Sequence, residues 1–136
     1  MMSTTKLEVV TPQRKILAVE VESVVAPGAE GYLGVLPRHA PLITTLKSGV
    51  VYYHKVGGKT ERMAVSGGFM EAGPDKVIIL ADTAELSTEI DIERARQAKE
   101  RAEKRLRERP PGLDWTRAEN ALQRSLARLK AAGADK

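Results

Sequence analysis

Residues 86–101 read LSTEIDIERARQAKER, and the period of the chain changes inside them. Ser87 and Thr88 are cap-type residues, and Asp91 stands three beyond Thr88, so a helix is expected to open here. It should run from about Glu89 to Arg107, because Arg109-Pro110-Pro111-Gly112 must stop it. Proline has no N–H to give and its ring clashes with the preceding turn. A second helix should start near Asp114 and end before Gly133. Two helices joined by a short stiff turn predict an antiparallel hairpin.

Upstream the period is two. In AVEVESVV (18–25), Val19 and Val21 alternate with Glu20 and Glu22, the pattern of a half-buried strand. GVVYYHKVGGKTERMAV (49–65) places two β-prone runs around Gly57-Gly58, a hairpin signal. GGFMEAGPDKVIILA (67–81) repeats it, with Gly73-Pro74-Asp75 as the turn and Val77 to Leu80 as a buried strand. Short strands broken by Gly and Pro turns predict an antiparallel sandwich or barrel. The expected class is α+β: an N-terminal antiparallel β-sandwich over residues 1–85, then a C-terminal antiparallel two-helix hairpin over residues 86–136.

Composition bounds the function. The 136 residues are 42% hydrophobic and 29% charged, which suits a soluble globular chain. The absence of cysteine excludes disulfides, thiolate metal sites and cysteine nucleophiles. No apolar run is long enough to cross a bilayer, and MMSTTKLEVV lacks the apolar centre of a signal peptide, so a cytoplasmic location is the default expectation. Residues 1–85 hold nine Lys/Arg and nine Asp/Glu, whereas residues 86–136 hold thirteen and nine. The net charge of +4 therefore belongs to the hairpin, and so does the question of a charged partner.

The hairpin's facing stripes are light: Ala95, Ala98 and Ala102 on one helix, and Ala118, Ala121, Leu122, Ser125 and Leu129 on the other. At roughly 25 cal/mol per Å² such a seam is marginal by itself, so the hairpin is expected to lean on the sandwich, a ligand or a partner.

Few motifs carry chemistry. Gly57-Gly58-Lys59-Thr60 resembles the tail of a phosphate-binding loop, but the required earlier glycine is Tyr53 and the segment sits in a hairpin turn. His39, in a Pro-flanked loop, is as readily a turn residue as a contact residue; His54 is expected on a strand, facing water. No Ser-His-Asp set and no carboxylate pair is visible, and no enzyme is expected. Arg94 and Arg101 are seven apart and share a helix face, and Arg124 and Arg128 are four apart. Like charges at such spacing repel by a few tenths of a kcal/mol. A solvated face tolerates this, while a polyphosphate held between both pairs would turn it into a gain. Nucleic acid fits less well: Glu93, Glu100, Glu103, Glu108 and Glu119 interrupt the basic residues, and Trp115 is the one aromatic nearby.

LGVLPRHAPLITTLKSGVV (33–51), VSGGFMEAGPDKVIILADTAE (65–85) and IDIERA (90–95), in that order and followed by a basic helical hairpin, closely resemble the epsilon subunits of bacterial F-type ATP synthases. The resemblance spans the chain from Thr11 to its end; the family's usual Pro-Gly-His-Ala-Pro loop has Arg38 here in place of glycine. It implies a non-catalytic central-stalk subunit of a proton-translocating complex, peripheral on the cytoplasmic face of the cell membrane. Its sandwich would join the gamma subunit to the c-ring, with Glu30, Gly31, Tyr32, Leu33 and His39 on the rotor-ring side. Its hairpin would brake ATP hydrolysis when extended toward acidic segments of the alpha and beta subunits. Some bacterial members bind ATP in the folded hairpin through Ile/Leu-Asp-x-x-Arg-Ala, matched here by Ile90, Asp91, Arg94 and Ala95, with Glu85, Arg101, Arg124 and Arg128 filling the other ligand positions. The resemblance implies that Glu85 and Asp91 accept from adenine or ribose, Ile90 and Ala95 pack on the base, and the arginines hold the phosphates. ATP would be a regulatory ligand, with no metal ligated by protein. A free-standing nucleotide sensor and a basic nucleic-acid adaptor are the competing readings.

Overall fold

The strand β2 (Lys15–Gly28) is the one around which the sheet is organised. Its first half pairs antiparallel with β1 (Thr5–Val10), and its second half pairs with β3 (Gly31–Val35) and β5 (Gly49–Lys55). The register against β5 shifts between Val21 and Ser23, the kind of irregularity that bends a strand and lets it serve two neighbourhoods. The computed structural model describes residues 3–134; residues 1–2 and 135–136, the outer ends of the two expected domains, lie outside the described residues.

The remaining strands are β4 (Leu42–Thr45), β6 (Thr60–Ser66), β7 (Phe69–Ala72), β8 (Lys76–Leu80) and β9 (Thr83–Leu86). The sheet runs β4-β7-β8-β1-β2-β5-β6-β9, with β3 paired to β2 off that path. The two expected hairpins form, β5 with β6 and β7 with β8. Gly57, at φ 65°, supplies the left-handed turn between β5 and β6. One pairing departs from the antiparallel expectation: β1 runs parallel to β8. The two are far apart in sequence, so no tight turn fixes their relative direction.

Alternation decides which side chains enter the core. Leu7 and Val9, Val51 and Tyr53, Met63 and Val65, Val77 and Ile79 all face one cluster. The residues between them point outward. On the opposite face of β5 and β6, Val50 and Ala64 form a second small cluster with Ile90 and Ala131.

The helices are α1 (Ile92–Glu108) and α2 (Trp115–Ala131). The start of α1 differs from expectation. Ser87–Glu89 form a separate 3-10 turn, Ile90 is extended, and the cap is Asp91, whose Oδ1 accepts from the Arg94 N–H at 3.0 Å. Burial of Ile90 against the sandwich holds the chain extended at the point where the cap-type residues alone would begin a helix. Arg109, at φ 50°, ends α1, and its guanidinium lies 5.0 Å from the centre of the Trp115 ring. As expected, Asp114 opens α2, accepting from the Arg117 N–H at 3.1 Å.

Ala95 and Ala102 on α1 and Ala118, Ser125 and Leu129 on α2 are buried, while Ala98, Ala121 and Leu122 are half-buried. The Ser125 hydroxyl donates to the Ala121 carbonyl at 2.9 Å, so its burial leaves no orphaned group. The hairpin is folded down, with α2 against β5 and β6. Arg62 Nη1 donates to the Lys130 carbonyl at 3.1 Å, which ties a strand to the negative end of α2, and Arg14 pairs with Glu89 at 3.4 Å. No helix among the described residues is long and apolar enough to cross a membrane.

Candidate functional site: a cleft between sandwich and hairpin

Where the hairpin diverges from the outer face of β6 and β9, a cleft of about 970 Å³ opens. The expected Glu85, Arg94, Arg101, Arg124 and Arg128 all line it. Glu85 comes from β9, Arg94 and Arg101 from α1, and Arg124 and Arg128 from α2. Five residues from three elements meet because β9 leads directly into the hairpin and because α1 and α2 are antiparallel.

Two further arginines, Arg105 and Arg117, also line the cleft. Sequence reasoning missed them although the signal was present. Arg105 follows Arg101 by four and Arg117 precedes Arg124 by seven, so each continues the stripe of its own helix. Ser66 and Thr83, on the sandwich wall, were missed as well. They are cross-strand partners, and their hydroxyls are hydrogen-bonded to each other. Only the β6–β9 register brings them together.

The electrostatics are lopsided. Six arginines face the carboxylates of Glu85 and Asp114. Arg128 Nε approaches Glu85 Oε1 at 2.7 Å but is misaligned for a hydrogen bond; the aligned contact is Nη2 donating to Oε2 at 3.3 Å. A half-exposed pair of this kind contributes at most about 1 kcal/mol. Arg94, Arg101, Arg105, Arg117 and Arg124 have no carboxylate within salt-bridge distance among the described residues. A cleft lined this way concentrates anions, and guanidinium forks match phosphate oxygens two at a time.

Ile90, Asp91 and Ala95 do not line the cleft. Ala95 is 0% exposed in the helix seam and Ile90 is 9% exposed against the sandwich, so in this conformation neither offers a surface for a base to pack on. One carboxylate oxygen of Asp91 is committed to capping α1. That cap seats the first turn of α1, from which Arg94 lines the cleft.

At the rotor-ring side expected for the sandwich, Glu30, Gly31, Tyr32 and Leu33 line a groove of about 560 Å³ with Ile43 and Thr44. The Tyr32 hydroxyl accepts from the Val50 N–H at 3.0 Å, which pins the β2–β3 turn to β5. His39 lies outside that groove, in the loop before β4, with Nδ1 2.6 Å from the Ala40 carbonyl. Arg38 beside it adopts φ 64°, the left-handed backbone that a glycine would take without strain. His54 is not simply solvated: Nε2 lies 3.3 Å from Glu22 and Nδ1 3.0 Å from the Thr60 hydroxyl. No cluster of three or more metal-ligating side chains occurs among the described residues.

The sequence model of the family "ATP synthase, Delta/Epsilon chain, beta-sandwich domain" matches residues 4–87, and that of "ATP synthase, Delta/Epsilon chain, long alpha-helix domain" matches residues 88–133. The chain is 67% identical over 133 residues to an ATP synthase epsilon chain of Moorella thermoacetica, covering 98% of this chain and 99% of that one. It is 49% identical over 132 residues to an ATP synthase epsilon chain of Desulforamulus reducens, covering 97% and 99%. Among solved structures, a chain of the Euglena gracilis mitochondrial ATP synthase, OSCP/F1/c-ring, superposes with a TM-score of 0.80 at 26% identity, over 96% of this chain and 81% of that chain. A chain of the central stalk/c-ring of the Tetrahymena thermophila enzyme shares the fold at a TM-score of 0.59 and 15% identity, over 94% and 96%.

Proposed function

The chain belongs to the ATP synthase epsilon chain family, and from that premise we propose that it is a non-catalytic rotor subunit whose hairpin, when folded down, holds ATP. The sandwich couples the gamma subunit to the c-ring of a proton-translocating F-type complex at the cytoplasmic face of the membrane. The hairpin regulates ATP hydrolysis by leaving the sandwich and presenting its basic helices to acidic segments of the alpha and beta subunits.

One observation carries the nucleotide reading: the folded hairpin gathers Arg94, Arg101, Arg124 and Arg128 with Glu85 around a single cleft. The four arginines hold the phosphates, and Glu85 exchanges its contact with Arg128 for the amino group of the base. Asp91 acts through the cap that seats the first turn of α1; Ile90 and Ala95 act by seating the rest of that helix. No protein ligand to a metal is required. ATP bound only to the folded hairpin stabilises it by mass action, by about 2.7 kcal/mol at a hundred times Kd, and so opposes the extended inhibitory state.

Docking of the sandwich is supported by its other outer face. Ile43, Phe69 and Leu80 are 70%, 53% and 53% exposed on the adjacent strands β4, β7 and β8, an apolar row with no cover. The β2–β3 turn with Glu30 to Leu33, and the His39 loop, are the proposed c-ring side.

Calorimetric titration of ATP into the full chain tests the first part. Saturable heat and a rise in Tm are expected; no heat and no stabilisation at millimolar ATP would remove the ATP-holding function. Co-purification with a large membrane ATPase tests the second. A chain that never travels with such a complex, yet binds ATP, is a free-standing sensor instead. Steeply salt-dependent DNA binding would point to the basic-adaptor reading.

A further inference from the structure

We propose, building on the ATP reading above, that the hydroxyls of Ser66 and Thr83 form a ribose-reading wall on the sandwich side of the cleft, so that the nucleotide spans the two parts of the molecule. The two walls differ in chemistry. The helix wall carries Arg94, Arg101, Arg105, Arg117, Arg124 and Arg128. The sandwich wall is made of Ala64, Val65, Ser66, Thr83 and Glu85 and contains no cation. A ligand with an anionic end and a neutral hydroxylated part is therefore oriented: phosphates toward the helices, sugar toward the strands.

The strand geometry explains why these two hydroxyls are presented. Met63 and Val65 of β6 and Ala84 of β9 point into the core. Alternation then puts Ala64, Ser66, Thr83 and Glu85 on the opposite face, beneath the hairpin. Ser66 pairs with Thr83 and Ala64 with Glu85 in register, so the four form a compact two-by-two patch. Ala64, 5% exposed, is small enough for α2 to sit on it, while Ser66 is half-buried and Thr83 exposed. Within the hydrogen-bonded hydroxyl pair one group donates to the other. One hydroxyl hydrogen and the remaining lone pairs stay available to a ligand. That set matches a vicinal diol, which both donates and accepts. Glu85, next along the same face, is an acceptor only when ionised, which suits the amino group of the base.

The test is calorimetry on the full chain with ATP, 2′,3′-dideoxy-ATP and inorganic tripolyphosphate. The wild type should bind ATP more tightly than the dideoxy analogue, by about three- to ten-fold for each ribose hydrogen bond that the analogue cannot make. The double variant Ser66→Ala/Thr83→Ala should bind both nucleotides as the wild type binds the analogue, with tripolyphosphate affinity unchanged. Thr83→Ser, which keeps the hydroxyl, should retain the preference. Equal wild-type affinities, or a double variant that keeps the wild-type ratio, overturn the ribose wall and leave the ATP site standing. Loss of tripolyphosphate binding in the double variant also overturns it, since the pair would then be shaping the arginine set. Absence of any ATP binding by the wild type removes the underlying reading instead.

Discussion

The interior of the sandwich and the seam of the hairpin are packed from different side chains. Leu7, Met63, Met70 and Ile79 are each 0% exposed in the sandwich. Each contributes about 1.5–3 kcal/mol by leaving water. The buried residues of the two helices are Ala95, Ala102, Ala118, Ser125, Ala127, Leu129 and Ala131, in which Leu129 is the single large side chain. An alanine methyl is worth about 0.8 kcal/mol on the same scale. The hairpin is therefore completed from outside, by Val50 and Ala64 beneath it and by the Arg62 and Arg14 contacts. What keeps it down is lighter than what holds the sandwich, which is what the proposed two-position hairpin would require.

The two regions should differ most visibly when a large buried side chain is cut back. Ile79→Ala should cost about 2–5 kcal/mol in urea unfolding and carry the whole chain with it. Leu129→Ala, a similar deletion in the seam, should cost less, about 2 kcal/mol, and should be local. Amide hydrogen exchange separates the two cases: α1 and α2 should exchange faster than β2, β5 and β8 in the wild type, and Leu129→Ala should widen the gap without touching the strands. Uniform protection across strands and helices would sink the idea of a separately opening hairpin.

How much of this was legible follows the same division. The period of two identified the β5–β6 and β7–β8 hairpins because each is closed by a local turn. The parallel β1–β8 pair had no local signal, since its partners are separated by most of the sandwich sequence. In the hairpin, Asp114 was legible as a cap because nothing competes with it. Asp91 was obscured by Ser87 and Thr88, which are equally good cap types but are held in a 3-10 turn by the approach to the sandwich. The arginine stripe was legible at four of six positions, whereas Ser66 and Thr83, seventeen residues apart, become a pair only through strand register.

Each region also places one arginine in left-handed backbone, Arg38 in the loop before β4 and Arg109 at the end of α1. Glycine accepts that conformation without the Cβ clash, so Arg38→Gly should raise stability by about 0.5–1 kcal/mol. The same change at Arg109 also removes the guanidinium from the Trp115 face, worth about 0.5–1 kcal/mol at an exposed site, and should come out near zero. Equal gains at both positions in thermal melts would mean that the Arg109–Trp115 contact contributes nothing to the turn.

The smallest difference is confined to alkaline pH. Burial, aided by the negative charge of Glu61 opposite it, pushes the Tyr53 phenol above its ordinary value of 10.0. A raised folded pKa means that the fold prefers the neutral phenol. Its contribution is fully present below about pH 10 and is lost as pH rises through the folded value. Tyr53 lies in β5, so this part of the alkaline loss belongs to the sandwich. Tyr53→Phe has no proton to lose and should flatten the fall in sandwich stability above pH 10, while leaving the pH dependence of hairpin exchange, after correction for intrinsic rates, as in the wild type. Parallel alkaline unfolding curves for the two proteins would show that the phenol titrates alike in the folded and unfolded states, and would remove this distinction between the regions.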